Sequence, residues 1–454
     1  MMKTIAAISA AAMMAFTQAP ARAADPAADT VGIPGPRTCF WARGPFSGDP
    51  YINLAYPDAN TFYWSAFFTV PEGATLRLEG DFPHSRYMSF ISYDAAGRPI
   101  EALADYLIAP RPGATNPFRP GADRTATKRG YSVDIVDAPA TGALAEGIAL
   151  PGAQRQVLNA PQYGPGQQAV LYRIYANDAA TPVSGGTSLP KPVLTMADGA
   201  QLRGAAACKA LNAAQQPLLN VAALGIPVAQ YRQLTSQPGK PDTWPAQPDP
   251  RWHIQLDRPS LIGIYTGEFA PAARRSEGGF YPNPDNNYIR TILNLRFGPV
   301  AILRAKAPTT PRTRGGDATM GQGQLRYWSV CSNQSFANTR VNDCVFDEEI
   351  PVDAQGYYTI VISKAKDRPR NARPECGMQW LPVADDGDGI FDPDVAVLQI
   401  RHMLARPGFD QAIQNIPSDD KIAEVMGEYA PKMRYVTPNA VEGLFACTSD
   451  EWQE

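Results

Sequence analysis

Residues 325–331, LRYWSVC, decide how this chain is read. Leu325, Tyr327, Ser329 and Cys331 alternate with Arg326, Trp328 and Val330, which is the two-residue period of a β-strand. A second version stands far upstream at residues 85–90, SRYMSF. Each Arg-Tyr pair follows an apolar run closed by proline, and each precedes a polar segment and another strand-like run. Two related halves built around these strands are therefore expected.

Outward from these two stretches, the chain reads as a meander of short strands between turn signals. The first half offers runs at 61–70, 75–79, 87–93, 103–108, 131–136 and 169–175. The second repeats the order with 288–295, 300–306, LRYWSVC, 345–350, 357–363 and 395–402. The last of these, VAVLQIRH, matches QAVLYRIY and sets His402 in place of Tyr175, as SRYMSF sets Met88 in place of Trp328. Gly 37 and Pro 44 together exceed a sixth of the 454 residues. That is above the ~12% of an average protein and favours a loop-rich β chain.

The fold class is thus mainly β: two tandem sandwich-like or jelly-roll-like domains from an internal duplication. Short helices belong to the connector and the C-terminus. The expected boundaries are an irregular entry at 24–60, a first sandwich at 61–196, a partly helical connector at 197–280, a second sandwich at 281–407 and a helical tail at 408–454. Within the connector, the alanine-rich run 201–216 has helical spacing.

The N-terminus has the form of a signal peptide over residues 1–23. Lys3 gives the basic end, residues 5–16 the apolar stretch, and Ala21-Arg22-Ala23 the cleavage site. No cysteine follows that site, so no lipid anchor is expected there. No later run approaches the ~20 apolar residues of a membrane helix. A periplasmic or secreted protein follows. The formal net charge of -3 argues against nucleic acid and against an anionic membrane surface as partners.

Six cysteines follow the leader: Cys39, Cys208, Cys331, Cys344, Cys376 and Cys447. An even number in an oxidising compartment points to disulfides, with about 15 full connectivities open. A local bridge is expected within 331–376. Cys331–Cys344 is the first candidate, because it closes a short loop and staples a strand to its neighbour.

The runs YPNPDNNYIRT (281–291), AILRAKAPTTP, LRYWSVC and DAQGYYTIVIS resemble a widespread family of uncharacterised secreted bacterial proteins. RPRNA (368–372), QWLP, RHMLARPGF (401–409) and FPHSRYMSFISYD carry the same resemblance. Each half is also distantly similar to bacterial domains with a FWSLTLYD … NWLP pattern. The resemblance implies architecture and compartment and assigns no chemistry.

Several residues are candidates for function. Arg86-Tyr87 and Arg326-Tyr327 offer guanidinium forks for an anionic or glycan ligand, with the tyrosines and Trp328 as a platform, while the polar insert 309–324 and Tyr63-Trp64 are candidates to line a cleft between the halves. The competing reading pairs each arginine inside its own half, Arg86 with Asp105 and Arg326 with Asp343 or Asp347. Of His84, His253 and His402, the last is a possible base or ligand-binding residue, but the three are too dispersed for a metal site. Asp386, Asp388, Asp392 and Asp394 alternate in a glycine-containing loop that suits a weak calcium site, although no glutamate closes it. Asp347, Glu348 and Glu349 are available for paired-carboxylate chemistry. No G-x-S-x-G elbow, phosphate loop or dinucleotide fingerprint is present.

The leading functional expectation is a binding protein that takes a small molecule or glycan in a cleft between two β domains. The alternatives are a hydrolase or lyase using arginine, tyrosine and carboxylate groups there, and a structural protein of the cell envelope. Oligomeric state is not legible.

Overall fold

The two Arg-Tyr stretches are central strands of two matching sheets. The computed structural model describes residues 40–140, 154–162, 167–213, 225–268, 280–445 and 447. The signal segment 1–23 and its cleavage site lie outside them. The first half contains β1 (Arg43–Phe46), β2 (Thr61–Phe68), β3 (Thr75–Asp81), β4 (Ser85–Tyr93), β5 (Pro99–Ala104), β6 (Gly130–Val136), β7 (Val157–Asn159), β8 (Gln168–Asn177), β9 (Lys191–Thr195) and β10 (Gln201–Arg203). The second contains β11 (His253–Gln255), β12 (Asn286–Asn294), β13 (Val300–Lys306), β14 (Tyr327–Asn333), β15 (Val341–Phe346), β16 (Tyr357–Ser363), β17 (Gln379–Pro382), β18 (Val395–Met403) and β19 (Lys432–Val436).

Sheet order exposes the duplication. One sheet of the first half runs β1-β2-β8-β4-β5, and its counterpart runs β11-β12-β18-β14-β15. The other sheets run β10-β9-β3-β6-β7 and, read in the same direction, β19-β13-β16-β17. Even the exceptional parallel pair recurs, β6 with β7 and β16 with β17. In each half the two sheets close on one core. Trp64, Phe90 and Tyr172 meet Leu78, Val133 and Leu194 in the first. Trp328, Val330 and Leu398 meet Leu303, Ile360 and Ile362 in the second. The chain is mainly β, built as two sandwiches.

Strands β4, β8, β14 and β18 are buried at every position, not at alternate ones. Their outer faces are covered because the two matching sheets also face each other across a seam. Tyr175 packs edge-on against Tyr327 there, with ring centroids 5.7 Å apart. A strand covered on both faces loses the polar alternation that normally fixes its phase.

The pairing registers correct the alignment of the halves. Ser89 pairs with Arg173, and Ser329 pairs with Arg401. Met88 pairs with Ile174, and Trp328 pairs with His402. Arg173 and Arg401 are therefore equivalent, and His402 stands in the place of Ile174, one residue from the Tyr175 match read off the sequence. Trp328 does stand in the place of Met88.

Other elements also depart from the sequence reading. The run from 201 begins as β10 and turns into helix α1 (Gly204–Ala210) only afterwards. The connector adds α2 (Val228–Thr235) and α3 (Arg258–Thr266), the latter started by Asp257, whose carboxylate accepts the Ser260 N–H at 3.1 Å. The C-terminal segment holds α4 (Ile422–Met426) and α5 (Pro438–Leu444), and between them β19 completes a sheet against β13. That strand forms because Val300–Lys306 would otherwise present an unpaired edge. Disulfides join Cys331 to Cys344, cross-strand neighbours in β14 and β15, and Cys376 to Cys447. No helix among the described residues is long and apolar enough to cross a membrane.

Candidate functional site

Arg86 and Arg326 meet at the seam, and their partners are exchanged between the halves. Arg86 is fully buried and bonds Asp347 at 2.8 Å, Thr313 at 2.7 Å and Glu348. Arg326 reaches back to Asp105 at 3.4 Å. Each guanidinium also donates to the other arginine's carbonyl, at 3.2 and 3.3 Å. Asp105 and Asp347 are equivalent, since they accept the N–H of Met88 and Trp328 at 2.8 and 3.1 Å. The expected pairing inside each half is thus replaced by a reciprocal one. The strands face each other across the seam, so each guanidinium meets the opposite half's acid. These contacts leave Arg86 no free fork for a ligand.

Burial raises Asp105 to about 7 and Asp285, bonded by the Tyr87 hydroxyl at 2.5 Å, to about 6. An unfolded aspartate titrates near ~3.9. Between these values the native state holds protons that the unfolded chain has lost. The resulting stabilisation is complete below about pH 4 and disappears as pH rises through about 7. Urea unfolding is expected to give a larger free energy at about pH 5 than at about pH 8. Asp105→Asn should remove part of that difference, and an unchanged pH dependence in this variant would contradict the assignment.

The remaining candidates are mostly structural. Trp64 and Trp328 belong to the two sandwich cores, and the Trp328 indole donates to the Pro308 carbonyl at 3.1 Å. Tyr87 and Tyr327 are buried, bonded to Asp285 and Asp58. His402 is buried, its Nδ1 accepts the Ile413 N–H at 3.2 Å, and burial lowers its pKa to about 3. It is a neutral packing residue.

The acidic loop does not gather its carboxylates. Asp388 accepts the N–H groups of Ile390, Phe391 and Asp392 at 2.7, 2.7 and 3.1 Å and the Tyr231 hydroxyl at 3.1 Å. Asp392 pairs with Arg296 at 2.6 Å, Asp394 with Lys364 at 3.2 Å, and Asp386 accepts from Gln334 at 2.6 Å. Among the described residues these four form no common ligand cluster; the one grouping of potential ligands is Asp58, Cys331 and Cys344, whose two sulfurs form the disulfide. In this structure the four acids are engaged in closing the loop and in ion pairs. Millimolar calcium should leave the melting curve unmoved. Asp388→Ala should cost about 1–3 kcal/mol, because it strands buried backbone donors.

The seam holds a cavity of about 70 Å³, lined by Tyr63 but not by Trp64 or the insert 309–324. Its walls come from both halves at equivalent positions. Tyr63 pairs with Arg173 as Tyr288 pairs with Arg401, and all four line it. Ser65 pairs with Leu171 where the second half pairs Arg290 with Gln399. Phe46 occupies the position of Gln255, each opposite its tyrosine. At these positions the first half is the less polar of the two walls.

The electrostatics of this cavity are lopsided. Arg173, Arg290 and Arg401 are 3%, 2% and 2% exposed, and among the described residues no aspartate or glutamate lines the walls. Arg401 is ion-paired to Asp58, which also accepts the Tyr327 and Ser329 hydroxyls at 2.9 and 2.6 Å. Asn283 is the counterpart of Asp58: each accepts the N–H two residues on through its side chain and the N–H three residues on through its carbonyl. A neutral amide therefore stands where the first half has a carboxylate. Arg173 bonds the Tyr93 hydroxyl and the Tyr281 carbonyl. Arg290 lies 3.9 Å above the Tyr56 ring, interacts with the Tyr56 hydroxyl and bonds Gln399 through Nη2; its Nε and Nη1, like the Nε of Arg401, have no acceptor among the described residues. Burial lowers Arg290 to about 10, so it remains charged at neutral pH. Burial raises Tyr56, Tyr63, Tyr175 and Tyr288, so these phenols stay neutral and supply no counter-charge.

No family model and no curated protein matches the chain. Among solved structures, an uncharacterised protein from Burkholderia cenocepacia is 13% identical, with a TM-score of 0.44 over 89% of this chain and 84% of that one. The VPA0106 protein from Vibrio parahaemolyticus is also 13% identical, with a TM-score of 0.39 over 84% of this chain and 90% of that one.

Proposed function

We propose that this is an extracytoplasmic binding protein that takes a small molecule in the cavity between its two β-sandwich halves. One observation carries the reading: the cavity is built from equivalent strands of both halves, yet its two walls differ in polarity. A seam serving only to join the halves has no need of buried N–H groups without acceptors, which are costly. The volume of about 70 Å³ favours a small molecule over a glycan. Binding is favoured over hydrolysis or lyase chemistry because, among the described residues, the walls contain no carboxylate, histidine, lysine or cysteine to act as base or nucleophile. The disulfides fit an oxidising compartment.

A melting screen of small molecules, run on the parent and on Ser65→Trp, tests this reading. Ser65 is buried in the cavity wall, and an indole there would fill the space. Compounds that stabilise the parent and leave a folded Ser65→Trp unmoved are the expected result. Equal stabilisation of both would place binding elsewhere.

A further inference from the structure

We infer that the ligand of this cavity is a small organic monoanion, a carboxylate with a short apolar body. Its charged group would lie on the unpartnered nitrogens of Arg290 and Arg401, and its body against Phe46, Phe67 and Leu171. The inference rests on the binding reading above and adds the chemical class.

The charge balance leads to it. Arg401 has Asp58 as its partner. Arg173 has no ion pair among the described residues, but its guanidinium is held by the Tyr93 hydroxyl and the Tyr281 carbonyl. Among the described residues Arg290 faces no carboxylate: its neighbours are the Tyr56 ring and hydroxyl, the Phe336 ring and the Gln399 amide. Arg290 is thus the one of the three that lacks both an ion-paired carboxylate and a full set of acceptors among the described residues. A buried charge without a partner is strongly unfavourable, and two N–H-bearing nitrogens without acceptors add to the cost. A single anionic group entering the cavity relieves both at once. Guanidinium groups suit an oxyanion, because their donors lie in one plane.

The differences between halves supply the rest. The polar wall exists because Arg290, Gln399 and Gln255 stand where the first half has Ser65, Leu171 and Phe46. The two walls therefore sort a ligand by polarity. A hydrated inorganic ion gains nothing from Phe46, Phe67 and Leu171, whereas an apolar body does.

Calorimetry with sodium acetate, sodium propionate, propionamide and inorganic phosphate tests the inference. Acetate or propionate is expected to bind, and propionamide, which has the shape of propionate without its charge, is not. Arg290→Met should weaken carboxylate binding about 10- to 100-fold, the worth of a charge-assisted hydrogen bond, while circular dichroism stays that of the parent. Arg290→Lys should keep part of it. Should Arg290→Met fail to fold, the comparison of propionate with propionamide on the parent still decides. Equal binding of those two would overturn the anion while leaving a ligand-binding cavity. Phosphate binding without either carboxylate would overturn the apolar body. Heat from none of the four would overturn the inference, and hits from the melting screen would then stand by themselves.

Discussion

Arg86→Ala is expected to lower stability by about 3–5 kcal/mol, the cost of leaving a buried carboxylate without its partner. Arg86 is completely buried and ties Asp347, Glu348, Thr313 and the Arg326 carbonyl into one network. Glu348 in turn accepts the N–H groups of Thr313, Arg314 and Gly315, so the 313–315 segment loosens with it. Arg326→Ala should cost less. Its bond to Asp105 is long at 3.4 Å, and Asp105, already raised to about 7, can take a proton when the guanidinium is gone. Denaturant titration of both variants measures the difference. Equal losses would contradict the exchanged, unequal pairing.

Arg401→Met is expected to be comparably damaging, again about 3–5 kcal/mol. Asp58 comes from the loop before β2 and inserts, fully buried, against the second half. Without Arg401, the Tyr327 and Ser329 hydroxyls alone support its charge from that side. Because the pair joins the halves, the loss should appear as earlier opening of the seam. Hydrogen exchange in β2 and β12 should rise together. The double variant Asp58→Asn, Arg401→Met should recover much of the stability, since the pair is then removed whole. A double variant as unstable as the single one would contradict the ion-pair origin of the effect.

Much of the architecture is written in local pattern. Alternation around Tyr327 and around Leu76-Arg77-Leu78 marks strands, and the repeated order of runs marks the duplication. The site is harder to read, for physical reasons. β8 and β18 are covered on both faces, so they lack the alternation that would have set Arg173 against Arg401. An apolar match instead put Tyr175 against His402, one residue away. Asp105 and Asp347 were recognisable as partners of the two arginines, but no local rule says that a pair will cross a seam. One signal did point to the cavity. Arginine inside an otherwise apolar strand, as in VLYRIY, YIRTIL and VLQIR, is a buried charge that demands an explanation. Asp388 shows the opposite case, in which spacing suited to a cation belongs to a loop closing on its own amides.

The buried arginines of the seam divide into those held by the fold, such as Arg86, and Arg290, whose charge is left for a ligand. Melting temperatures of Arg86→Met and Arg290→Met without added anion test that division most directly. The predicted result is a large fall for Arg86→Met and no fall, or a rise, for Arg290→Met, because the second removes an uncompensated buried charge. A fall of similar size in both would contradict it, and would make Arg290 one more structural contact between the halves.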